Sequence, residues 1–289
     1  MALAMSFYDF LRLMRVNQWY KNLVIFVPLI FVAHFFNVVE LLSILLGFLA
    51  LCLISSVNYI INDFVDRKKD RLNPEKSAKP LVTGVVKGYQ AVILLLFLFG
   101  SSLLLSAFLS TMFMFSVLAL FLSSQLYSFF FKGEMFLDIL FISVNFVIRA
   151  IAGTFIINVS ISPWLVLCTF FLSLFLSVGK RKSESMLLGS SASSHRKVLA
   201  YYSPDITNSL MIISTSLLIM SYALYSFSSK FPNLVWTLPL ALYVIFRYTY
   251  LVYSGSDVAR HPERAITDLR LVLGVVFWSF LIFLIIYFS

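Results

Sequence analysis

The sequence predicts an all-α polytopic membrane protein of about nine transmembrane helices, and three observations carry that reading. Of 289 residues, 61% are hydrophobic and 12% charged, and 31 are Phe, more apolar surface than a soluble core of this size could hide. The apolar residues gather into about nine runs that approach the roughly 20 residues needed to cross a bilayer. The connections between those runs alternate between nearly uncharged and strongly charged.

Ahead of the first run, Phe7, Phe10, Leu11 and Met14 recur at i, i+3, i+4 and i+7, with Arg12 and Arg15 on other faces. That is the pattern of a short helix lying in the membrane interface. Residues 1–19 lack a continuous apolar core followed by a small-residue cleavage site, so a retained, cytoplasmic N-terminus is expected. The runs themselves fall near 21–36, 41–61, 90–109, 112–131, 135–157, 163–179, 207–227, 233–253 and 271–288. Connections 34–40, 110–111, 158–162 and 228–233 are nearly uncharged, whereas 62–89, 132–134, 180–206 and 254–270 are charged. Of 22 Lys and Arg only Lys230 falls on the uncharged side, and of 13 acidic residues only Glu40 does. Basic residues in short loops stay in the cytoplasm, so the charged side is expected there, with the C-terminus outside the cell membrane.

Cys52 and Cys168 lie inside apolar runs, where a thiol acts as a small hydrophobe, and they imply no disulfide or metal pair. The two longest charged connections begin about 118 residues apart. The chain therefore reads as a single transmembrane domain with a pseudo-repeat, 1–131 and 132–253, plus a ninth helix at 271–288. Such duplications usually place the working site between the repeats. No soluble domain and no nucleic-acid partner is expected.

The densest chemical signal lies in 62–80, which opens Asn62-Asp63-Phe64-Val65-Asp66-Arg67-Lys68-Lys69-Asp70-Arg71. Asp63, Asp66 and Asp70 are spaced three and four apart, so all three share one face if the second spanning helix continues past the membrane surface. Like charges this close repel, and Mg²⁺ relieves the repulsion because it takes carboxylate oxygens while leaving positions for a substrate's phosphates. Arg67, Arg71, Lys76 and Lys79 surround the acids, and Pro74 and Pro80 restrict the chain so that these cations could turn back towards the metal. Cations together with Mg²⁺ point to a diphosphate. The plainer alternative is a solvated helix end, its acids paired with Arg67, Lys69 and Arg71 and its cations drawn to anionic lipid. That alternative explains the cations but not three aspartates stacked directly below a span.

The matching place after the sixth run holds Gly179-Lys180-Arg181-Lys182-Ser183-Glu184, basic where the first loop is acidic. It could hold a second phosphate without a second metal, or act as an ordinary positive-inside anchor. Arg149 lies roughly 20 Å along the fifth run at 1.5 Å per residue, and a charge so deep must face a cavity or a partner. Asp138, near the start of the same run, is a candidate partner or acceptor for a substrate hydroxyl, with an ion pair to Lys132 as the plain reading. Asn17-Gln18-Trp19-Tyr20-Lys21-Asn22 mixes amides, aromatics and one cation: Trp19 and Tyr20 read as interfacial belt residues, and Lys21 could reach a phosphate. The last charged connection, with Asp257, Arg260, His261, Arg264 and Asp268, could cap the site, and His261 reads as a solvated histidine.

Asn62-Asp63-x-x-Asp66-x-x-x-Asp70-Arg71 resembles the first aspartate-rich motif of the UbiA-type membrane prenyltransferases, a nine-helix bundle with twin cytoplasmic motifs. The closer resemblance is to one branch, the decaprenyl-phosphate phosphoribosyltransferases. It covers Asn17-Gln18-Trp19-x-Lys21-Asn22, Asp70-Arg71-x-x-Pro74-x-Lys76 with a following basic-Pro pair, and Tyr127-Ser128 with Lys132 and Asp138. It continues through Arg149-Ala150-Ile151-Ala152-Gly153, Gly179-Lys180-Arg181-x-x-Glu184 and Arg247-Tyr248, nearly end to end. Two departures stand out. Asn73 and Lys79 replace the His and Arg expected of the branch, and Lys lacks the bidentate fork with which Arg grips phosphate. Lys180-Arg181-Lys182 stands where ordinary prenyltransferases carry a second aspartate cluster, which argues against a prenyl diphosphate as donor.

The resemblance implies a membrane-bound phosphoribosyltransferase with its active site at the cytoplasmic end of a UbiA-like bundle. It would move 5-phosphoribose from phosphoribosyl diphosphate (PRPP) to a polyprenyl phosphate and release diphosphate. Asp63, Asp66 and Asp70 would hold Mg²⁺, and Asn62, Arg67, Arg71, Lys76 and Lys79 would meet the donor. Lys180 and Arg181 would take the 5-phosphate or the lipid phosphate, and Lys21, Lys132, Asp138 and Arg149 complete the expected binding set. The rivals are a conventional prenyltransferase moving an isoprenoid onto an aromatic or other acceptor, and a transporter or lipid carrier.

Overall fold

The computed structural model describes residues 7–71, 77–188 and 197–288, and every element among them is helical. Eight described helices are long and apolar enough to cross a membrane: Val38–Lys68, Gly88–Leu109, Thr111–Phe131, Leu137–Ile156, Pro163–Met186, Pro204–Ser228, Pro232–Tyr253 and Leu269–Phe288. These correspond to the second to ninth runs of the sequence. The first run, 21–36, is built differently. Helix α1 (Phe7–Met14) ends at Arg15, whose φ of 50° is left-handed, and a 3₁₀ segment Val16–Phe26 leads into the five-residue α2 (Val27–Phe31). Pro28 has no N–H to offer the Val24 carbonyl, which is taken one residue early by the Val27 N–H, so a continuous α-helix is interrupted there.

Helix α3 (Val38–Asp70) starts on a reciprocal cap, the Asn37 amide donating to Glu40 Oε1 at 2.8 Å and accepting from the Glu40 N–H. Its 33 residues extend about 50 Å at 1.5 Å per residue, well beyond the roughly 30 Å hydrocarbon layer. The surplus carries the aspartates. Helix α4 (Pro80–Thr83) begins on Pro80, suited to a first helical position, and ends at Gly84, whose φ of 80° suits glycine. There follow α5 (Gly88–Leu109), α6 (Thr111–Leu126) with a π turn over Tyr127–Phe131, α7 (Leu137–Ile156) and α8 (Pro163–Leu188). The chain ends with α9 (Pro204–Ser228), α10 (Leu238–Tyr253), the short α11 (Asp257–Arg260) and α12 (Leu269–Phe288).

The chain divides into two compact units. One comprises the described residues of Met1–Leu29, Phe35–Phe129 and Ile148–Val159. In it α3 is central, packed against α1, α4, α5, α6 and the 3₁₀ segment, with Ile25, Leu29, Ile44, Leu51, Ile54, Phe113 and Leu120 fully buried. The other comprises the described residues of Ile30–His34, Phe130–Val147 and Ser160–Ser289. Its core joins α8, α9, α10 and α12 through Phe175, Val178, Met211, Leu218, Tyr248 and Leu271.

Helices approach closely where side chains are smallest, as membrane packing favours. A Cβ added at Gly153 would lie 2.3 Å from the Ile25 carbonyl oxygen, a backbone atom that cannot swing away, whereas one at Gly100 meets nothing within 4 Å. Gly153→Ala is expected to cost about 1–3 kcal/mol by overpacking, and Gly100→Ala to be neutral or slightly stabilising. Thermal unfolding of the purified variants in detergent checks the pair.

Candidate active site

In the first unit the aspartates of α3 are met by cations from two other segments. Asp63 and Asp70 are 2% and 3% exposed, and Asp66, on the same side of the helix, is half-buried. Burying a carboxylate at such depth is costly without an opposite charge and hydrogen-bond donors. Lys79 supplies both: its Nζ lies 2.7 Å from Asp63 Oδ1 and 2.6 Å from Asp70 Oδ2. Extended backbone at Lys79 (φ −66°, ψ 140°), the conformation favoured before a proline, directs the chain into α4. A second cation arrives from the α1 junction, Arg15 Nη2 reaching Asp63 Oδ1 at 2.5 Å with its guanidinium 4.9 Å from the Tyr59 ring centroid. Arg12 donates to the Ala78 carbonyl at 2.9 Å, so α1 is also tied to the segment that carries Lys79.

Several further polar residues of this unit pair towards the apolar interior. Trp19, read from sequence as a belt residue, donates through Nε1 to Ser56 Oγ at 3.1 Å. Arg149, 8% exposed, donates through Nε to Asn22 Oδ1 at 2.8 Å, and the Asn22 amide donates in turn to Cys52 Sγ. Asn22 is thus a partner that the depth of Arg149 called for, and it is held by the interrupted helix. Gln125 and Asn58 form an amide pair at 2.5 Å between α6 and α3. Lys21 rests 5.9 Å from the ring centroid of Tyr20. Asn62 is half-buried, Arg67 and Arg71 are exposed, and Lys76, Asn73 and Pro74 lie outside the described residues.

The second unit holds a different charged group. Asp138 is fully buried and accepts from Arg181 Nε at 2.7 Å and from the Tyr202 hydroxyl at 2.6 Å. Arg181, 2% exposed, also donates to Glu184 at 2.6 Å. The Tyr202 hydroxyl in turn accepts from the Phe136 N–H, and burial together with the neighbouring Asp138 pushes its phenol well above the ordinary tyrosine range. Lys182 is buried, its Nζ 3.9 Å from the Tyr253 ring centroid and against Asn208. The sequence grouped Lys180, Arg181 and Lys182 as one cationic patch, yet of these three only Lys180 keeps substantial exposure, 41% of its side chain, with Glu184 at 4.0 Å. Lys132 is half-buried. In the last charged connection, Asp257 is held by Arg260 and Arg264. Asp268 is forked by Arg247 at 3.1 and 2.6 Å, which keeps its carboxyl below the usual range.

The metal expected at the aspartates can be tested against this donor set. Two buried carboxylates reached by one ammonium offer hard oxygens of the kind Mg²⁺ takes. The residues fit the ion in the chemistry of their oxygens. Among the described residues no group of three or more His, Cys, Asp and Glu is arranged to hold a metal, and the positive charge here comes from Lys79 and Arg15. Arg15 escaped the sequence reading because 48 residues separate it from Asp63 and no spacing rule links them. Tyr202, 64 residues from Asp138, escaped for the same reason.

The eight long apolar helices define an integral membrane protein, with a cation-matched carboxylate face at the end of one of them. Comparison with known proteins identifies the family. The UbiA prenyltransferase family profile matches residues 23–281, and the chain belongs to that family of membrane transferases. It is 31% identical to the decaprenyl-phosphate phosphoribosyltransferase of Mycolicibacterium smegmatis, over 96% of this chain and 92% of that one. It is 30% identical to the protein of the same name from Corynebacterium glutamicum, over 96% and 86%. Among solved structures, a UbiA homolog from Archaeoglobus fulgidus bound to GPP and Mg²⁺ superposes with a TM-score of 0.72 at 20% identity, covering 94% of this chain and 99% of that one.

The Asp138 group yields a stability test. Arg181→Met leaves a buried carboxylate without its cation and is expected to cost about 3–5 kcal/mol, whereas Tyr202→Phe removes one hydrogen bond to a charged group and should cost about 1.5–3 kcal/mol. Pairing Arg181→Met with Asp138→Asn should recover part of the loss in the same thermal unfolding assay.

Proposed function

We propose that this chain transfers 5-phosphoribose from PRPP to a polyprenyl phosphate and releases diphosphate, with Mg²⁺ at Asp63, Asp66 and Asp70. The observation that carries the reading is the α3 carboxylate face with its attendant cations, in a chain about 30% identical to two decaprenyl-phosphate phosphoribosyltransferases over nearly its full length. Further support comes from the basic stretch that begins at Lys180, where a second aspartate cluster for a prenyl diphosphate would otherwise stand.

In this reading an oxygen of the lipid phosphate attacks the anomeric carbon of the ribose as the bond from that carbon to the diphosphate oxygen breaks. Mg²⁺, when bound, supplies the charge neutralisation that lets diphosphate depart. Asp63, Asp66 and Asp70 would hold that ion, while Asn62, Arg67, Arg71, Lys76 and Lys79 contact the donor's diphosphate end. Lys180 is exposed enough to take the 5-phosphate or the lipid phosphate, and buried Arg181 positions the loop through Asp138 and Glu184. The nucleophile is already anionic, so no general base is required, and in-line positioning carries much of the rate. Lys21, Lys132, Asp138 and Arg149 shape the surroundings. The charged ends of the helices and the N-terminus face the cytoplasm, the C-terminus lies outside, and the lipid tail remains in the cell membrane.

Purified protein given Mg²⁺, labelled PRPP and a polyprenyl phosphate is expected to yield a labelled lipid; no product across a range of chain lengths overturns the reading. Asp63→Asn and Asp66→Asn should each lower turnover by roughly 100-fold or more, and EDTA should abolish it. Label entering product from a prenyl diphosphate would decide instead for a conventional prenyltransferase.

A further inference from the structure

Lys79 is held in a way that phosphate binding alone does not require. A cation waiting for a ligand's phosphates would remain hydrated, yet this ammonium lies between two nearly buried carboxylates, 2.7 Å from Asp63 and 2.6 Å from Asp70. Those aspartates stand seven positions apart on α3, and Lys79 draws an oxygen of each to a common point, as a small hard cation would. A second cation at the site is anchored differently. Arg15 reaches the same Asp63 oxygen from a backbone fixed in the left-handed region, with its guanidinium against Tyr59. Lys79 precedes a four-residue helix on a flexible stem, its side chain 20% exposed and its three donors bound to no fixed plane.

We propose that Lys79 is an exchangeable counter-cation, occupying at Asp63 and Asp70 the charge position of the divalent metal until the metal binds, while Arg15 stays in place. The inference rests on the reading that these aspartates hold Mg²⁺ and adds that the chain carries its own competitor for the ion. Displaced from the carboxylates, the Lys79 ammonium turns to the diphosphate oxygens of the donor, so one side chain serves both states. An arginine here would grip the carboxylates through its fork and yield less readily.

The test needs neither donor nor lipid. Mn²⁺ alone is titrated into the detergent-purified full chain, with free ion read by electron paramagnetic resonance. Lys79→Gln is expected to tighten Mn²⁺ binding by roughly three- to tenfold, the scale of the ion pairs removed, and Lys79→Arg to weaken it by a similar factor. Asp63→Asn should abolish binding in either background. A merely structural role for Lys79 predicts the reverse, loss in Lys79→Gln and retention in Lys79→Arg. That order, equal affinity in all three proteins, or no Mn²⁺ binding in any of them overturns the proposal. If Lys79→Gln does not fold, the comparison of Lys79→Arg with the unaltered chain decides. Donor identity is read separately from the labelled lipid, so failure of this proposal and failure of the phosphoribosyl reading are distinguishable.

Discussion

Asp63 sits 2% exposed near the charged end of a long, mainly apolar helix, and an ionised carboxylate in that position requires positive charge within hydrogen-bond reach. Much of the architecture around it answers that demand. The segment before α4 returns to α3 so that Lys79 can reach it, α1 is pinned to the same segment through Arg12, and the left-handed turn at Arg15 brings a second cation to the same oxygen. A left-handed non-glycine residue costs on the order of 1 kcal/mol. An unpaired buried carboxylate costs more, so the strain at Arg15 is tolerated.

The same electrostatic logic recurs in the second unit with a different result. Asp138 is fully buried, and Arg181 and Tyr202 satisfy it from α8 and from the chain just before α9. Arg181 is thereby committed to the fold, with Glu184 on its other side. Three consecutive basic residues therefore do three different things: Lys180 stays accessible, Arg181 closes a buried ion pair, and Lys182 lies over an aromatic ring. Helical geometry enforces the split, since consecutive residues point about 100° apart.

The interrupted first run serves the interior rather than the charged end. The segment Val16–Phe26 is 3₁₀ rather than α-helical, and from it Trp19 and Asn22 contact α3 and Arg149 through side-chain hydrogen bonds. Gly153 admits the backbone of the same segment at Ile25. A charge deep in an apolar helix is thus satisfied by an amide that an uninterrupted helix would hold elsewhere.

By itself the sequence determined the all-helical membrane class, the place of eight long helices in the chain, and a spacing that puts three aspartates on one face if α3 continues past the apolar layer; that continuation, and the like extension of α8, the structure supplied. Hydropathy and helical period are local properties, and burial in lipid leaves the chain few alternatives to helix. The motif order also placed the chain in its family. Tertiary structure alone decided which cation meets which acid: Arg15 with Asp63, Lys79 across Asp63 and Asp70, Arg181 and Tyr202 with Asp138, Asn22 with Arg149. These pairings join residues 9 to 127 positions apart. Charge reveals that a partner is needed, but long-range packing of one helix against another selects it.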